Sequence, residues 1–176
     1  MTIASIYMPR WISSDEEKSS IGLHSRYSSD SGTHKAYPDD ETDCAGDKTF
    51  CHMWRTVGFL ISFDVAVELC TLVAFTVIIA GGVQRRTAGW RIVCALLLFS
   101  SFVQCVGMAI VAYVYDNDSR FSKGWYLDAS WSLCTASWTL LLLTSLGLTA
   151  SALYLPTEGD YELIPDDGLE VMQDEQ

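Results

Sequence analysis

Three long apolar windows interrupt an otherwise polar chain. Val57 to Ala80 runs for 24 residues with Asp64 and Glu68 as its only charges, Ile92 to Tyr115 for 24 with none, and Ala129 to Leu155 for 27 with none. A hydrocarbon core of about 30 Å is crossed by roughly 20 residues of helix. Each window is therefore long enough to span, and none carries the polar stripe of a soluble amphipathic helix. The expected fold class is an all-α membrane protein with three transmembrane helices in an antiparallel bundle. Short links between the windows force the chain to alternate direction. Residues 1–56 form a polar N-terminal region, 57–155 the transmembrane bundle (57–80, 92–115 and 129–155), and 156–176 an acidic tail.

Aromatic placement agrees with this division. Trp54, Trp90, Tyr113, Tyr115, Trp131 and Tyr154 stand at or near window ends, where an amphipathic ring suits the headgroup layer. The formal net charge is −11, but its distribution says more than its sum. The link "GGVQRRTAGWR" carries Arg85, Arg86 and Arg91 and no acid, whereas "DNDSRFSKGWYLD" mixes both signs. The purely basic link is expected to be cytoplasmic. Residues 1–56 then lie outside and the tail inside. Residues 12–48, rich in Ser, Asp and Gly, read as an irregular extracellular loop, partly disordered.

An outside N-terminal region has to cross the membrane, and "MTIASIYMPRW" holds no signal-peptide apolar run. Either the first window draws it across, or an upstream helix is missing. Trp11, then "IGLH" with Gly22 and Leu23, then Cys44 and Cys51, then a membrane helix, together resemble the first extracellular loop of claudin-like tetraspans, whose loop carries a Trp, a Gly-Leu-Trp and two cysteines. His24 stands where that superfamily usually has an aromatic. The resemblance is nearest to the fungal cortical and PalI-type members. It implies a four-helix bundle of which the first helix is absent here, and a plasma-membrane location.

On this orientation Cys44 and Cys51 face an oxidising compartment, where a disulfide is expected. A zinc site built on Cys44, Cys51 and His52 lacks a fourth ligand, and a redox pair would call for Cys-x-x-Cys. No metal and no cofactor is therefore expected. Cys70, Cys94, Cys105 and Cys134 lie in the apolar windows and read as small packing residues.

Asp64 and Glu68 are four residues apart and share one helix face. An intramembrane acid is costly and usually faces a bundle interior. Counted at 1.5 Å per residue from the outer window ends, Glu68, Gln104 and Thr139 fall at one level, about 16 Å down. These four residues form an expected intramembrane polar cluster. Its bland reading is interhelical glue; its sharper one is proton or cation movement. Small residues at four-residue spacing, Ser101, Cys105 and Ala109, and Gly147 with Ser151, would let helices approach closely.

Asn117-Asp118-Ser119 is a glycosylation sequon close to a helix end. In the tail, Tyr161 to Ile164 ("YELI") has the shape of a sorting motif. There is no phosphate-binding glycine loop, metalloprotease helix or nucleophile triad. Clustered basic residues for nucleic acid are absent too. The expectation is a multi-pass membrane protein without enzymatic activity. It would act as an organiser or sensor at the cell cortex through lateral association with itself or other membrane proteins in the lipid bilayer. A small transporter or channel subunit using Asp64 and Glu68, and an accessory subunit of a membrane complex, are the alternatives.

Overall fold

The computed structural model describes residues 1–154 apart from 30, 46, 47, 122 and 123, with the backbone alone for 82–88. The tail and its "YELI" motif lie outside the described residues. The elements run α1 (Thr2–Tyr7), β1 (Ile12–Ser14), β2 (Ser19–Ile21), β3 (Ser25–Ser28), β4 (Thr33–Ala36), α2 (Lys48–Ala80), α3 (Gly82–Asn117), β5 (Trp125–Leu127) and α4 (Ala129–Tyr154). Three of these helices, α2, α3 and α4, are long and apolar enough to cross a membrane.

Two of the long helices, α2 and α3, outrun their apolar windows. At 1.5 Å per residue, the 33 residues of α2 extend about 50 Å, well beyond a core of about 30 Å. Its first turns, from Lys48 to Thr56, therefore leave the apolar span and enter the polar cap. Gly81 alone separates α2 from α3, so these two helices form a tight hairpin. This turn lies at the far end of α2 from the cap.

The cap corrects the expectation of an all-α chain with an irregular N-terminal region. Residues 12–36 form four short strands that join β5 in one antiparallel sheet, ordered β4-β3-β2-β1-β5. Ile12 pairs with Ile21 on one side and with Leu127 on the other. Lys18 takes a left-handed φ of 44° to close the β1–β2 turn, and Gly32, at φ 61°, does the same between β3 and β4. Strands of three or four serine-rich residues show too little alternation to announce themselves, and the sheet is completed only by a strand from far down the chain.

The core sits where cap meets bundle. Trp11, Ile12, Ile21 and Leu23 from the cap are buried against Phe50, Trp54 and Val57 of α2 and Val111 and Val114 of α3. The Trp54 ring stacks on Phe50 at 5.8 Å and meets Tyr37 edge-on at 5.6 Å. Its indole N–H donates to the Gly22 carbonyl at 3.3 Å. The Trp11 indole donates to the Ser5 carbonyl at 2.7 Å, tying the sheet to α1. Gly22 is fixed by space: a Cβ there would come within 2.7 Å of the Pro9 backbone. Cys44 and Cys51 form a disulfide that links the end of the loop to the first turn of α2. Arg120 lies over the Phe50 ring at 4.4 Å.

A second set of bonds stitches the cap to α4. Asp128 accepts hydrogen bonds from Arg10 Nε (2.9 Å), Ser13 Oγ (2.6 Å) and the Ala129 N–H (2.6 Å). The Ser130 hydroxyl donates to the Met8 carbonyl. Burial alone would raise the Asp128 carboxyl, but the bonds from Ser13, Ala129 and Arg10 outweigh it and hold the group below the usual aspartate range.

Candidate functional site

The interior of the bundle holds a polar cluster among its apolar side chains, whereas large apolar side chains cover its exterior. Phe59, Phe63, Phe99 and Phe102 are exposed on the outside, with Phe63 and Phe99 in edge contact at 6.4 Å. Inside, Asp64 and Gln104 are fully buried. The difference follows from the solvent: lipid tails accept apolar surface outside, while carboxyl and amide groups find their partners between helices.

Asp64 and Glu68 come from one face of α2 and meet α3 through two residues, also four apart, on its facing side. Ser100 Oγ donates to Asp64 Oδ1 at 2.6 Å. Gln104 Nε2 donates to Asp64 Oδ2 and lies 2.8 Å from Glu68 Oε1. The short helix α1 completes the cluster from below the cap. Thr2 Oγ1 donates to Glu68 Oε1 at 2.7 Å and lies 2.9 Å from Ser137 Oγ on α4. Gln104 Nε2 is also within 3.3 Å of Thr2 Oγ1. An amide nitrogen has two hydrogens for these three acceptors, so its bonds to Asp64, Glu68 and Thr2 compete. Gln104 Oε1 is buried with no hydrogen-bond partner among the described residues.

Three of the four residues expected here, Asp64, Glu68 and Gln104, are therefore brought together, and Thr139 is not. Its hydroxyl turns back onto its own helix, to the carbonyls of Thr135 and Ala136 at 3.0 and 2.9 Å. Depth along a span gives the level of a residue but not its azimuth, and Ser137 is the α4 residue on the inward face. Ser100 carried a readable signal, since it lies four residues from Gln104 as Asp64 does from Glu68. Thr2 carried none, because α1 belongs to a segment that reads as polar and extramembrane.

Glu68 also lines a cleft of about 440 Å³ that opens beside α1 between α2, α3 and α4, with Leu72, Phe75, Leu97, Leu141 and Leu148 on its walls. Chemically, the cluster can share a proton between two carboxyl groups or simply knit three long helices and α1 together. Among the described residues, no group of three or more His, Cys, Asp or Glu is placed to hold a metal ion.

The remaining sequence candidates are dispersed. Asn117 ends α3, and its amide donates to the Tyr113 carbonyl at 2.9 Å. Cys94 and Cys134 are buried as packing residues, but Cys70 and Cys105 are exposed on the bundle surface, which corrects the packing assignment for those two. Of the small-residue ridges, Ser101 packs, donating to the Trp138 carbonyl at 3.1 Å. Ala109, Gly147 and Ser151 face outward. The close approaches of α2 and α3 instead fall at Gly89, where a Cβ would meet Ile78 at 2.6 Å, and at Gly107, where it would meet Ile61 at 3.0 Å.

Three helices of this length and hydropathy, together with the lipid-like requirements of their outer surface, point to a membrane protein in contact with the bilayer. Neither a protein-family model nor a curated protein matches the chain.

Proposed function

We propose that this chain is a non-enzymatic organiser or sensor of claudin-like tetraspan type, which holds a folded extracellular cap on a membrane bundle and works by lateral association in the plasma membrane. The observation that carries the proposal is the joint between cap and bundle. Trp11, Gly22, Leu23 and the Cys44–Cys51 disulfide, the residues of the resemblance, converge on Trp54 and Phe50 at the top of α2. Such a joint couples the position of the cap to the helices through packed side chains. The acids are glue, since Ser100 and Gln104 bond the two oxygens of Asp64, and Gln104 and Thr2 converge on one oxygen of Glu68.

Two populations of the chain, one with a donor dye and one with an acceptor, reconstituted together in liposomes, test this. Energy transfer that persists on lipid dilution, above that of an unrelated three-span control, is the expected result. Transfer that dilutes away as the control's does would overturn lateral self-association.

A second reading has one observation in its favour: two carboxyl groups joined by a single amide, one of them lining a cleft. In it the chain is a small transporter or channel subunit using Asp64 and Glu68. Proton or cation flux in liposomes that is abolished by Glu68→Gln would establish it, and flux equal to that of empty liposomes would discard it.

A further inference from the structure

The sheet has two unlike faces. One carries Ile12 and Ile21 into the core. The register sets the other face out as a single row running across all five strands: Tyr126 pairs with Ser13, Ser13 with Ser20, Ser20 with Tyr27, and Tyr27 with His34. Residues paired in this way across neighbouring strands point to the same side. The row reads aromatic, hydroxyl, hydroxyl, aromatic, imidazole. All five of its members line an open trough of about 690 Å³. Ser13 is buried at the floor, while Tyr126 and His34 stand exposed at either end.

The spacing of the rings sets the size of an occupant. Tyr126 and Tyr27 lie three strand intervals apart, about 14 Å at the usual separation of hydrogen-bonded strands. That is long enough for a short run of sugar rings and too long for one. Tyr27 and His34 form a paired platform, their ring centroids 4.9 Å apart and tilted by 40°. Between the platforms lie Ser13, whose hydroxyl gives its proton to Asp128 and is left to accept, and Ser20, whose hydroxyl can both donate and accept.

Charge around the trough decides the class. Its charged lining is two basic side chains, Arg10 and Lys18, balanced by two acidic ones, Asp15 and Asp128. Arg10 is bound to Asp128 at 2.9 Å, and the Tyr126 hydroxyl donates to Asp15 at 3.1 Å. A strongly anionic or cationic polymer would find no field of opposite sign here. Aromatic faces flanking neutral hydroxyls instead match the alternating apolar faces and hydroxyl edges of an uncharged glycan.

We propose that this outer face of the sheet is a binding site for a neutral, linear oligosaccharide or polysaccharide strand, with sugar rings lying on Tyr126 and on the Tyr27–His34 platform. The proposal concerns a purified chain and is tested without reference to which side of the membrane the cap occupies, so it stands or falls separately from the organiser reading.

The full chain in lipid nanodiscs is titrated with laminarihexaose, cellohexaose and chitohexaose, with binding read by saturation-transfer NMR and calorimetry. At least one hexasaccharide should bind saturably. Tyr126→Ala and Tyr27→Ala should each weaken it about tenfold, as loss of an aromatic anchor does. Tyr27→Phe should retain binding, and Ser20→Arg, which fills the trough between the rings, should abolish it. Retention of the Cys44–Cys51 disulfide and of native circular dichroism checks that each variant is folded; Ser20→Arg decides the matter where an alanine variant does not fold. Absence of saturable binding to all three sugars would overturn the proposal. So would binding that survives Ser20→Arg, or stronger binding of a heparin hexasaccharide than of any neutral one.

Discussion

Cap and bundle solve opposite problems with the same chain. In the cap, the largest side chains, Trp11, Trp54 and Phe50, are wholly buried, and polar groups such as Tyr126 and His34 face outward. In the bundle, phenylalanines face outward and Asp64, Ser100 and Gln104 are buried. Each region puts inside what its surroundings reject. Water drives apolar surface together, whereas lipid offers no such drive and leaves cohesion to close packing and interhelical hydrogen bonds. Stability should therefore reside mainly in the cap and its joint, with the polar cluster of the bundle contributing less than its burial suggests.

The largest effect should come from removing the aromatic centre of the joint. Trp54→Ala is expected to cost about 3–5 kcal/mol, the usual range for emptying a large buried aromatic site. Near-ultraviolet circular dichroism during thermal unfolding in micelles would measure it. Far-ultraviolet helicity should survive the first transition, because the spans hold their own backbone bonds.

Opening the disulfide comes next. Cys44→Ser should lower the stability of the cap by about 2–3 kcal/mol, the chain-entropy value for so short a loop. Melting with and without reductant should show the same decrement for the native chain and none for the variant. A decrement of similar size in the variant would place the sensitivity elsewhere.

In the bundle, Gln104→Leu keeps the side-chain volume roughly constant and deletes the amide that joins Asp64, Glu68 and Thr2. The expected cost is about 1 kcal/mol, since polar contacts between membrane helices are individually weak. A double-mutant cycle with Asp64→Asn would isolate the coupling between them. A loss as large as that of Trp54→Ala would erase the contrast between the two regions.

The smallest effect is an acid one. Because the folded Asp128 carboxyl is held below its ordinary range, the unfolded chain binds its proton more readily. The stabilisation is complete above the ordinary aspartate range and is lost as pH falls through the folded value, beginning from about pH 5 downward. The protection of the Ala129 and Ser130 amides, taken relative to intrinsic exchange at each pH, should fall over that interval. Asp128→Asn should flatten the dependence.

The sequence made the spans easy to read and the cap hard. An apolar run such as Ala129 to Leu155 has no other low-energy fate, so its helix could be named from composition alone. The strands "ISS", "SSI" and "THKA" carry no such signal. They become strands because Trp11 and Leu23 anchor their ends to the bundle and because β5 supplies a partner for β1. The polar cluster was half legible: spacing along α2 put Asp64 and Glu68 on one face, and depth put Gln104 opposite. Rotation of α4, which excludes Thr139 and admits Ser137, depends on helix packing that no single window encodes.

The stitch at Asp128 has a consequence for the order in which the molecule can assemble. Ser13 and Asp128 are 115 residues apart in the chain, and β5 reaches the sheet only after the whole α2–α3 hairpin has passed. Sheet completion is thus a late, non-local event, with the loop-closure cost of joining such distant segments. Until β5 arrives, β1 keeps an open edge available to a neighbouring chain. The three residues of β5, between the second and third spans, are thus the latch that withdraws an adhesive strand edge.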